Sequence, residues 1–241
     1  MVELWHEWNS GHSFKVRVVL AEKRVEWVDR RVELLKFEHL QPGYLKLNPK
    51  GVVPTLVHDG RVITESSFIC EYLDKRFDGP RLMPAGVADR ERARDWLRYY
   101  DETVHPAIRA ASFELLYRPV LSTVPKADLE AAMHNHPDPA RAKAFIAAAA
   151  DKKTDLDALK RATAQFVSVT ERIGMSLAGR AWLSGGEFGL ADVALSPFVD
   201  RLEQLHMSDL WGRAPATLEW RRRILGRPSV MRARGPVDPG G

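Results

Sequence analysis

Apolar and polar side chains follow two different periods along the first third of the chain. Residues 2–5 form a short apolar run, and residues 25–34 alternate apolar with charged positions, so both segments predict strands. Residues 14–23 between them carry apolar side chains at helical spacing. Residues 55–64 then predict a hairpin that turns at Gly60, followed by another helix. The predicted order is βαβ followed by ββα, which is a small α/β layer structure.

Strand patterns end at the segment DGPRLMPAG, residues 78–86, which is rich in proline and glycine. Residues 89–120 predict one long amphipathic helix with a kink near Pro106, because proline removes a hydrogen-bond donor from a helix. Residues 121–155 mix proline, histidine and alanine-rich turns and predict an irregular insert, after which helical patterns resume. We therefore predict an α/β domain over residues 1–80, a linker over 81–88 and an all-helical domain over 89–241.

Charge and cysteine content narrow the class of protein. The formal net charge is only +4 and both signs are interspersed, so a nucleic-acid partner is not indicated. Cys70 is the only cysteine, which excludes an intrachain disulfide and favours a reducing compartment. His134 and His136 have no cysteine or carboxylate cluster beside them, so no metal site is predicted. The chain start lacks a secretory pattern, and no apolar run reaches the roughly 18 residues of a membrane span, which predicts a soluble cytoplasmic protein.

One candidate for chemistry is the segment NSGHSFK, residues 9–15, between the first predicted strand and the first helix. Open α/β sheets bind ligands where a strand ends beside a helix N-terminus. Free N–H groups and the positive end of the helix dipole stabilise a thiolate there, and a serine hydroxyl can donate to a sulfur anion. The alternative is that Ser10 or Ser13 only caps the helix.

A second candidate is TESSF, residues 64–68, where Glu65 and Ser66 open a helix. First-turn N–H groups have no partner inside the helix and can bind a ligand carboxylate, while Glu65 can accept from a ligand ammonium. The alternative is a glutamate that complements the helix dipole and a serine that caps.

The segment just before the third strand completes the pattern. Pro54 has no N–H for a β-ladder, and an X–Pro bond at this position can be cis. The backbone of Val53 is therefore free to pair with an extended peptide, as an added strand does. Glutathione carries a carboxylate, an amine, a peptide backbone and a thiol, and so matches all three places.

Longer motifs resemble the cytosolic glutathione transferase family over nearly the whole chain. The run NPKGVVPTLVHDGRVITESSFICEYL, residues 48–73, resembles the family's most diagnostic stretch, and GLADVALSPF and LEWRRRILGRPSV resemble its folding motif and closing helix. Gly189 stands where the family usually has Ser or Thr as the N-cap, whereas Asp192 is retained. We expect this departure to cost a few tenths of a kcal/mol. The resemblance implies a thioredoxin-like N-terminal domain followed by an all-helical domain.

The resemblance also implies roles for single residues. Pro54 is the expected cis-proline, and the backbone of Val53 is expected to pair with the cysteinyl part of glutathione. Glu65 and Ser66 are expected to hold the γ-glutamyl end. His39, in LKFEHLQ, matches a polar position that contacts the glycyl end.

The activating residue is one of two serines. In Ser- and Cys-type members the active group stands five residues before a basic-Val-Arg core such as KVR, and counting back from Lys15 gives Ser10. Ser13 is the rival at the helix start, and His12 is a further donor candidate. The loop has no Tyr or Cys, which argues against a Tyr-type mechanism and a mixed disulfide. The serine would stabilise the thiolate by a hydrogen bond, not act as nucleophile.

The second substrate is expected between this loop and the long helix. Trp8 and Tyr100 are the preferred wall residues among the aromatic side chains there, which favours an apolar or aromatic electrophile. The segments LKFEH and NPKGVVP, with the insert at 121–155, resemble the bacterial β-etherase branch, so glutathione-dependent cleavage of β-aryl ethers is an alternative. A glutathione-binding scaffold without turnover is an alternative of another class. The family resemblance further implies a homodimer.

Overall fold

The computed structural model of the chain describes residues 1–212 and 214–235. A four-stranded mixed sheet in the order β2-β1-β3-β4 forms its first part. The strands are β1 (Val2–His6), β2 (Val28–Arg31), β3 (Thr55–His58) and β4 (Arg61–Ile63). β1 and β2 run parallel, whereas β3 is antiparallel to β1 and β4. Helices α1 (Gly11–Glu22) and α3 (Ser66–Arg76) complete the predicted βαβ-ββα unit, and α2 (Pro42–Leu47) is an additional helix that the sequence pattern did not predict.

Burial explains why this order folds as one layer. Leu4 on β1 lies opposite Leu56 on β3, and both side chains are fully buried. α1 packs against α3, and its Val16, Val18 and Leu20 are also fully buried. The fold class predicted from the sequence, a thioredoxin-like domain followed by a helical one, is confirmed.

Nine α-helices and two π-helical segments form the second part of the chain as far as residues 87–212 and 214–235 show. They are α4 (Val87–Tyr99), α5 (His105–Ser112), α6 (Arg118–Leu121), α7 (Lys126–Ala132), α8 (Pro139–Ala150), α9 (Leu156–Ser176), α10 (Leu190–Gln204), α11 (Pro215–Leu225) and α12 (Pro228–Ala233), with π-segments at Tyr100–Val104 and Phe113–Tyr117. α4 begins inside the stretch predicted to be linker.

The predicted long helix contains two wider turns where a single kink was expected. Each π-helical segment ends two residues before a proline, Pro106 in one case and Pro119 in the other. Proline has no N–H, and its ring clashes with the carbonyl four residues earlier. A π-turn relieves that clash without breaking the helix.

The expectation that residues 121–155 are irregular was wrong. Asp138 caps α8, since its side chain accepts a hydrogen bond from the backbone N–H of Arg141 at 3.0 Å, and alanines with high helix propensity follow. The apolar side chains of α7 and α8 pack against Phe37 and Leu40 of the first domain. The prolines and histidines of this segment lie at helix ends. The apolar surface that α7 and α8 pack against is about 90 positions away in the chain, so no local sequence pattern indicated this packing.

α1 is the element that joins the two domains, because it contacts α3 on one side and α10 and α12 on the other. Lys15 of α1 is fully buried, with Nζ 2.6 Å from Asp101 Oδ1 and 2.7 Å from Ser67 Oγ. His12 of α1 stacks on His105 of α5, with ring centroids 3.7 Å apart. A buried cation is tolerated only when it is paired, so this network fixes how the domains meet.

Gly189 lies where the fold leaves no room for a side chain, which is a reason for glycine separate from helix capping. A Cβ atom at this position would lie 2.6 Å from the carbonyl oxygen of Leu82, which itself accepts a hydrogen bond from Leu190 N at 2.9 Å. Asp192 accepts from the backbone N–H of Gly189 and Leu183, both at 3.1 Å, and from the indole of Trp220 at 2.8 Å. The close approach of the linker therefore selects glycine over serine.

The substitution Gly189→Ser should destabilise the protein although serine is a better helix cap. The added side chain must displace the Leu82 carbonyl, and we expect a loss of about 1–3 kcal/mol in the free energy of unfolding. Urea unfolding of the variant beside Gly186→Ser, where a Cβ meets no atom within 4 Å, provides the comparison. Equal stability of both variants would contradict the prediction.

Acid should destabilise the fold through its buried histidines. Burial lowers the pKa of His6, His39 and His105 to about 4. As the pH falls below about 6.5, these histidines become protonated in the unfolded chain but stay neutral in the folded state. The free energy of unfolding should therefore be constant above pH 6.5 and fall as the pH drops towards 4. One such histidine contributes up to about 3 kcal/mol. Urea unfolding at pH 7.5 and at pH 5 tests this. The free energy of unfolding should fall less for His105→Gln than for the wild type or for the exposed control His134→Gln. Equal losses in all three proteins would contradict the prediction.

Candidate active site

A buried guanidinium positions the loop that precedes α1. Arg17 donates to the carbonyl oxygens of Glu7 at 3.1 Å, Trp8 at 2.7 Å and Ala233 at 2.9 Å. It also donates to His6 Nδ1 at 3.0 Å. Burial lowers the pKa of Arg17 to about 9, so the side chain remains charged at neutral pH. The end of β1, the loop and α12 are thus held by one side chain.

A second arginine fixes the residue before Ser10. Arg201 of α10 donates to the backbone oxygen of Asn9 at 2.7 Å and to its side-chain oxygen at 2.8 Å. Ser10 then caps α1, because its Oγ accepts from the N–H of Ser13 at 3.3 Å. The Ser10 side chain is half-buried, and its hydroxyl hydrogen remains able to donate to a ligand.

Ser13, the rival candidate, has a different environment. Its side chain is completely buried, and its hydroxyl has no hydrogen-bond partner among the described residues. A ligand sulfur would reach it only after neighbouring atoms moved. The geometry therefore separates Ser10, which is accessible, from Ser13, which is not.

His12 connects this loop to the start of α3. Its Nδ1 lies 3.0 Å from Ser66 Oγ, and its ring stacks on that of His105. Burial, assisted by the charges of His105 and Lys15, lowers the pKa of His12 well below its ordinary value. His12 is therefore neutral near pH 7 and acts there as a hydrogen-bonding group. The fold thus brings Ser66, which is 54 positions away in sequence, to His12 in the loop segment that also contains Ser10.

The Val53-Pro54 peptide bond is cis. Tyr44 and Asn48 hold the preceding turn, because the hydroxyl of one and the amide of the other both donate to Val52 O at 2.8 Å. Within the described part of the chain, the N–H and C=O of Val53 make no hydrogen bond. These two groups are therefore free for a peptide ligand.

Glu65 stands at the N-cap of α3 in an unusual backbone conformation. Its φ is 66° and its ψ is 104°, a region that L-residues rarely occupy. The exposed carboxylate forms an ion pair with Lys50 at 2.5 Å. Within the described residues, the side chain of Glu65 does not cap α3, and the buried Ser66 is the first residue of the helix.

His39 lies beside the helical insert. Its ring is half-buried, and its Nδ1 has no partner among the described residues. Burial lowers the pKa of His39 to about 4, and the nearby His136 adds to the effect. A neutral His39 therefore offers a hydrogen bond to a ligand and no positive charge.

Trp8 and Tyr100 do not form the shared wall of a substrate pocket that the sequence predicts. Trp8 lies edge-on to His6 and lines a cavity of about 300 Å³ together with Trp27 and Arg17. Tyr100 is completely buried, with its hydroxyl close to where a Cβ of Gly11 would be. Tyr100 is thus a core residue of the domain contact, which corrects the expectation that its ring faces a substrate.

The sequence did not reveal four of the groups that shape this region. They are Lys15, Arg17, Asp101 and Arg201, and each contacts residues between 9 and 216 positions away. The KVR motif that contains two of them served only to count back to Ser10. Their burial depends on the packing of α1 between two domains, and a single sequence gives no signal for it.

Two other kinds of feature are absent from residues 1–212 and 214–235. No helix there combines the length and the apolar character that crossing a bilayer requires. No three histidine, cysteine, aspartate or glutamate side chains there converge as metal ligands.

Comparison with known proteins agrees with this geometry. The family model described as "Glutathione S-transferase, N-terminal domain" matches residues 1–75, and the one described as "Glutathione S-transferase, C-terminal domain" matches residues 156–223. Protein LigF of Sphingobium sp. (strain NBRC 103272 / SYK-6) is 42% identical over 94 residues, which are 38% of this chain and 37% of LigF. Glutathione S-transferase TCHQD of Arabidopsis thaliana is 26% identical over 97% of this chain and 90% of its own length.

A solved structure gives the same result over the whole chain. The crystal structure of the β-etherase LigF from Sphingobium sp. strain SYK-6 has a TM-score of 0.86 and 25% identity, covering 96% of this chain and 98% of LigF. The two family models together match more than half of the chain. The chain therefore belongs to the glutathione S-transferase superfamily, a family of enzymes that use glutathione as co-substrate.

Proposed function

We propose that this protein is a glutathione transferase in which Ser10 stabilises the glutathione thiolate. The observation that carries the proposal is the accessible Ser10 hydroxyl at the N-terminus of α1, and the backbone of Val53, which makes no hydrogen bond within the described residues, supports it. The hydroxyl accepts from the helix and retains its own hydrogen for the sulfur. The N–H groups and the dipole of α1 also lower the pKa of the glutathione thiol.

The remaining groups suit the other parts of glutathione. In this proposal Val53 exchanges backbone hydrogen bonds with the cysteinyl unit, and Pro54 shapes the turn behind it. Ser66 and the first N–H groups of α3 bind the γ-glutamyl carboxylate. Glu65 accepts from the γ-glutamyl ammonium, and neutral His39 donates or accepts at the glycyl end.

The chemistry follows from the stabilised thiolate. The sulfur attacks an electrophilic carbon of the second substrate, a C–S bond forms, and the leaving group departs with the electron pair of its bond. No serine ester forms, because Ser10 only donates a hydrogen bond. His12, neutral and hydrogen-bonded to Ser66, keeps the two halves of the glutathione site in register.

Cleavage of β-aryl ethers is the second candidate function. The overall similarity to the β-etherase LigF, with a TM-score of 0.86, favours it. In that reaction the thiolate displaces a phenolate from the carbon next to a ketone. A panel of aryl halides and one β-aryl ether ketone, each tested with glutathione, distinguishes ether cleavage from general conjugation.

We further propose a homodimer that works in the cytoplasm. A chain with a single cysteine, which is buried, suits a reducing compartment where glutathione is reduced. Sedimentation velocity at micromolar concentration tests the assembly. Binding of glutathione without turnover of any electrophile would favour the scaffold alternative over the enzyme.

The substitution Ser10→Ala should reduce turnover and leave glutathione affinity within a few-fold. Loss of one hydrogen bond to a charged sulfur costs about 1.5–3 kcal/mol, which corresponds to roughly ten- to hundredfold in kcat/KM. The pKa of enzyme-bound glutathione, followed by thiolate absorbance against pH, should rise. Ser13→Ala is the matched control, and a larger effect from Ser13→Ala would reverse the assignment.

The substitution Ser66→Ala should weaken glutathione binding and leave the fold intact. The serine hydroxyl bonds His12 and, in the proposal, the ligand carboxylate, so we expect the Kd from calorimetric titration to rise about tenfold. The exposed Ser168→Ala on α9 serves as the control. An unchanged Kd for Ser66→Ala would remove the γ-glutamyl site from this place.

A further inference from the structure

His105 is a histidine beside the proposed glutathione site that no part of glutathione is expected to use. It is the first residue of α5, and its ring stacks on that of His12 with centroids 3.7 Å apart. A Cβ atom on Gly11, the first residue of α1, would lie 3.9 Å from Cδ2 of His105. Cδ2 is bonded to Nε2, so a ring nitrogen of His105 lies close to the helix start where Ser10 is the N-cap.

A π-helical turn sets the direction of this side chain. The segment Tyr100–Val104 ends directly before His105, and Pro106 follows. A π-turn holds more residues than an α-helical turn, so the side chains after it face a different direction from that of an uninterrupted helix. Such turns occur often at functional sites. The wide turn therefore affects where the ring of His105 points, and with it the stack on His12.

The ring nitrogens of His105 are available to a ligand. Its side chain is half-buried, and within the described residues neither ring nitrogen forms a hydrogen bond or is sealed in the interior without one. The polar groups around it are already engaged. Nδ1 of His12 lies 3.0 Å from Ser66 Oγ, and Nζ of Lys15 lies 2.6 Å from Asp101 Oδ1. His105 thus offers a hydrogen bond that its neighbours do not use.

Burial and nearby cations keep His105 neutral, since together they lower its pKa to about 4. Burial is the main cause, and the charges of Lys15 and Arg109 come next. Asp101 acts in the opposite direction, and Arg201 adds a smaller lowering effect. A neutral imidazole carries one N–H, which can donate to an anion. The surrounding cations favour negative charge on a ligand atom at this place.

The displacement reaction needs a donor here. When the glutathione thiolate displaces a leaving group, negative charge moves from the sulfur to the atom that departs. Ser10 and the N–H groups of α1 stabilise the sulfur, but the leaving group departs on the opposite side of the carbon. Its donor must therefore come from an element other than α1, and a donor already in place lowers the barrier. His105 of α5 meets both conditions.

We propose that His105 is a catalytic residue whose ring N–H donates a hydrogen bond to an oxygen leaving group, such as a phenolate, of the second substrate. This inference rests on the proposed transferase function and names the substrate class, electrophiles that release an oxygen anion. The sulfur forms the C–S bond, the C–O bond breaks with its electron pair, and the released oxygen takes a proton from water. The N–H of His105 stays on its ring throughout.

Two substrates with the same reacting carbon test this role. Phenacyl phenyl ether releases phenolate, whereas phenacyl chloride releases chloride, a stable anion that needs no strong donor. In His105→Met, kcat/KM for the ether should fall roughly ten- to hundredfold, after subtraction of the uncatalysed rate. His105→Gln is the matched variant, because its side chain has a similar length but keeps an N–H donor, and it should stay within about threefold of the wild type. Both variants should convert the chloride within about twofold of the wild type.

A third variant and a series of ethers separate this role from a structural one. His105→Phe keeps an aromatic ring beside His12 without an N–H, and it should behave like His105→Met. Across phenacyl ethers of different phenols, the loss in both variants should be largest for the least acidic phenol, because the least stable anion depends most on the donor. A damaged fold would instead lower the rates for all ethers and the chloride by the same factor.

The outcomes distinguish this inference from the transferase proposal. Equal losses for ether and chloride, or full ether cleavage in either His105→Met or His105→Phe, overturn the inference alone. A wild type that converts the chloride but none of the ethers also overturns the inference alone. A wild type that binds no glutathione in calorimetric titration, or binds it and converts neither class of substrate, overturns the transferase proposal and this inference with it.

Discussion

The contacts of the Arg17 guanidinium are the constraint on which the rest of this structure depends. A charged side chain in the interior is stable only when its donors are satisfied. Three of the acceptors are backbone oxygens, two from the loop after β1 and one from α12, near the end of the described chain. The loop that presents Ser10 is therefore defined by the helical domain as much as by the sheet.

The opposite side of α1 carries a second buried cation with a complementary role. Lys15 reaches Asp101 beside the π-helical turn and Ser67 on α3. Removing one partner from such a pair leaves an uncompensated charge, so the network resists separation of the domains. In the proposal, glutathione binds at the N-terminus of α1, where His12 is hydrogen-bonded to Ser66 of α3 and stacks on His105 of α5. Its geometry is thus a property of the domain contact.

The helical insert changes what the second substrate meets. α8 brings Phe145 against Phe113, which follows α5, and against Phe37 near His39. A site walled only by aromatic side chains would favour any apolar electrophile. The histidines of this region stay neutral at pH 7, because burial lowers the pKa of His39 and His105 to about 4.

The sequence alone determined the four strands, the helices α1 and α3 and the two-domain plan, and it marked Ser10, Val53 and Ser66 as candidates, because those depend on local periodicity, helix starts and short motifs. Tertiary structure alone decided that Ser13 and Tyr100 are buried, that Gly189 must lack a side chain, and that residues 121–155 fold into helices. Each of these depends on atoms contributed by a distant segment, such as the Leu82 carbonyl or the surface around Phe37. Local propensity carries no information about such partners, whereas close packing makes their exact positions decisive.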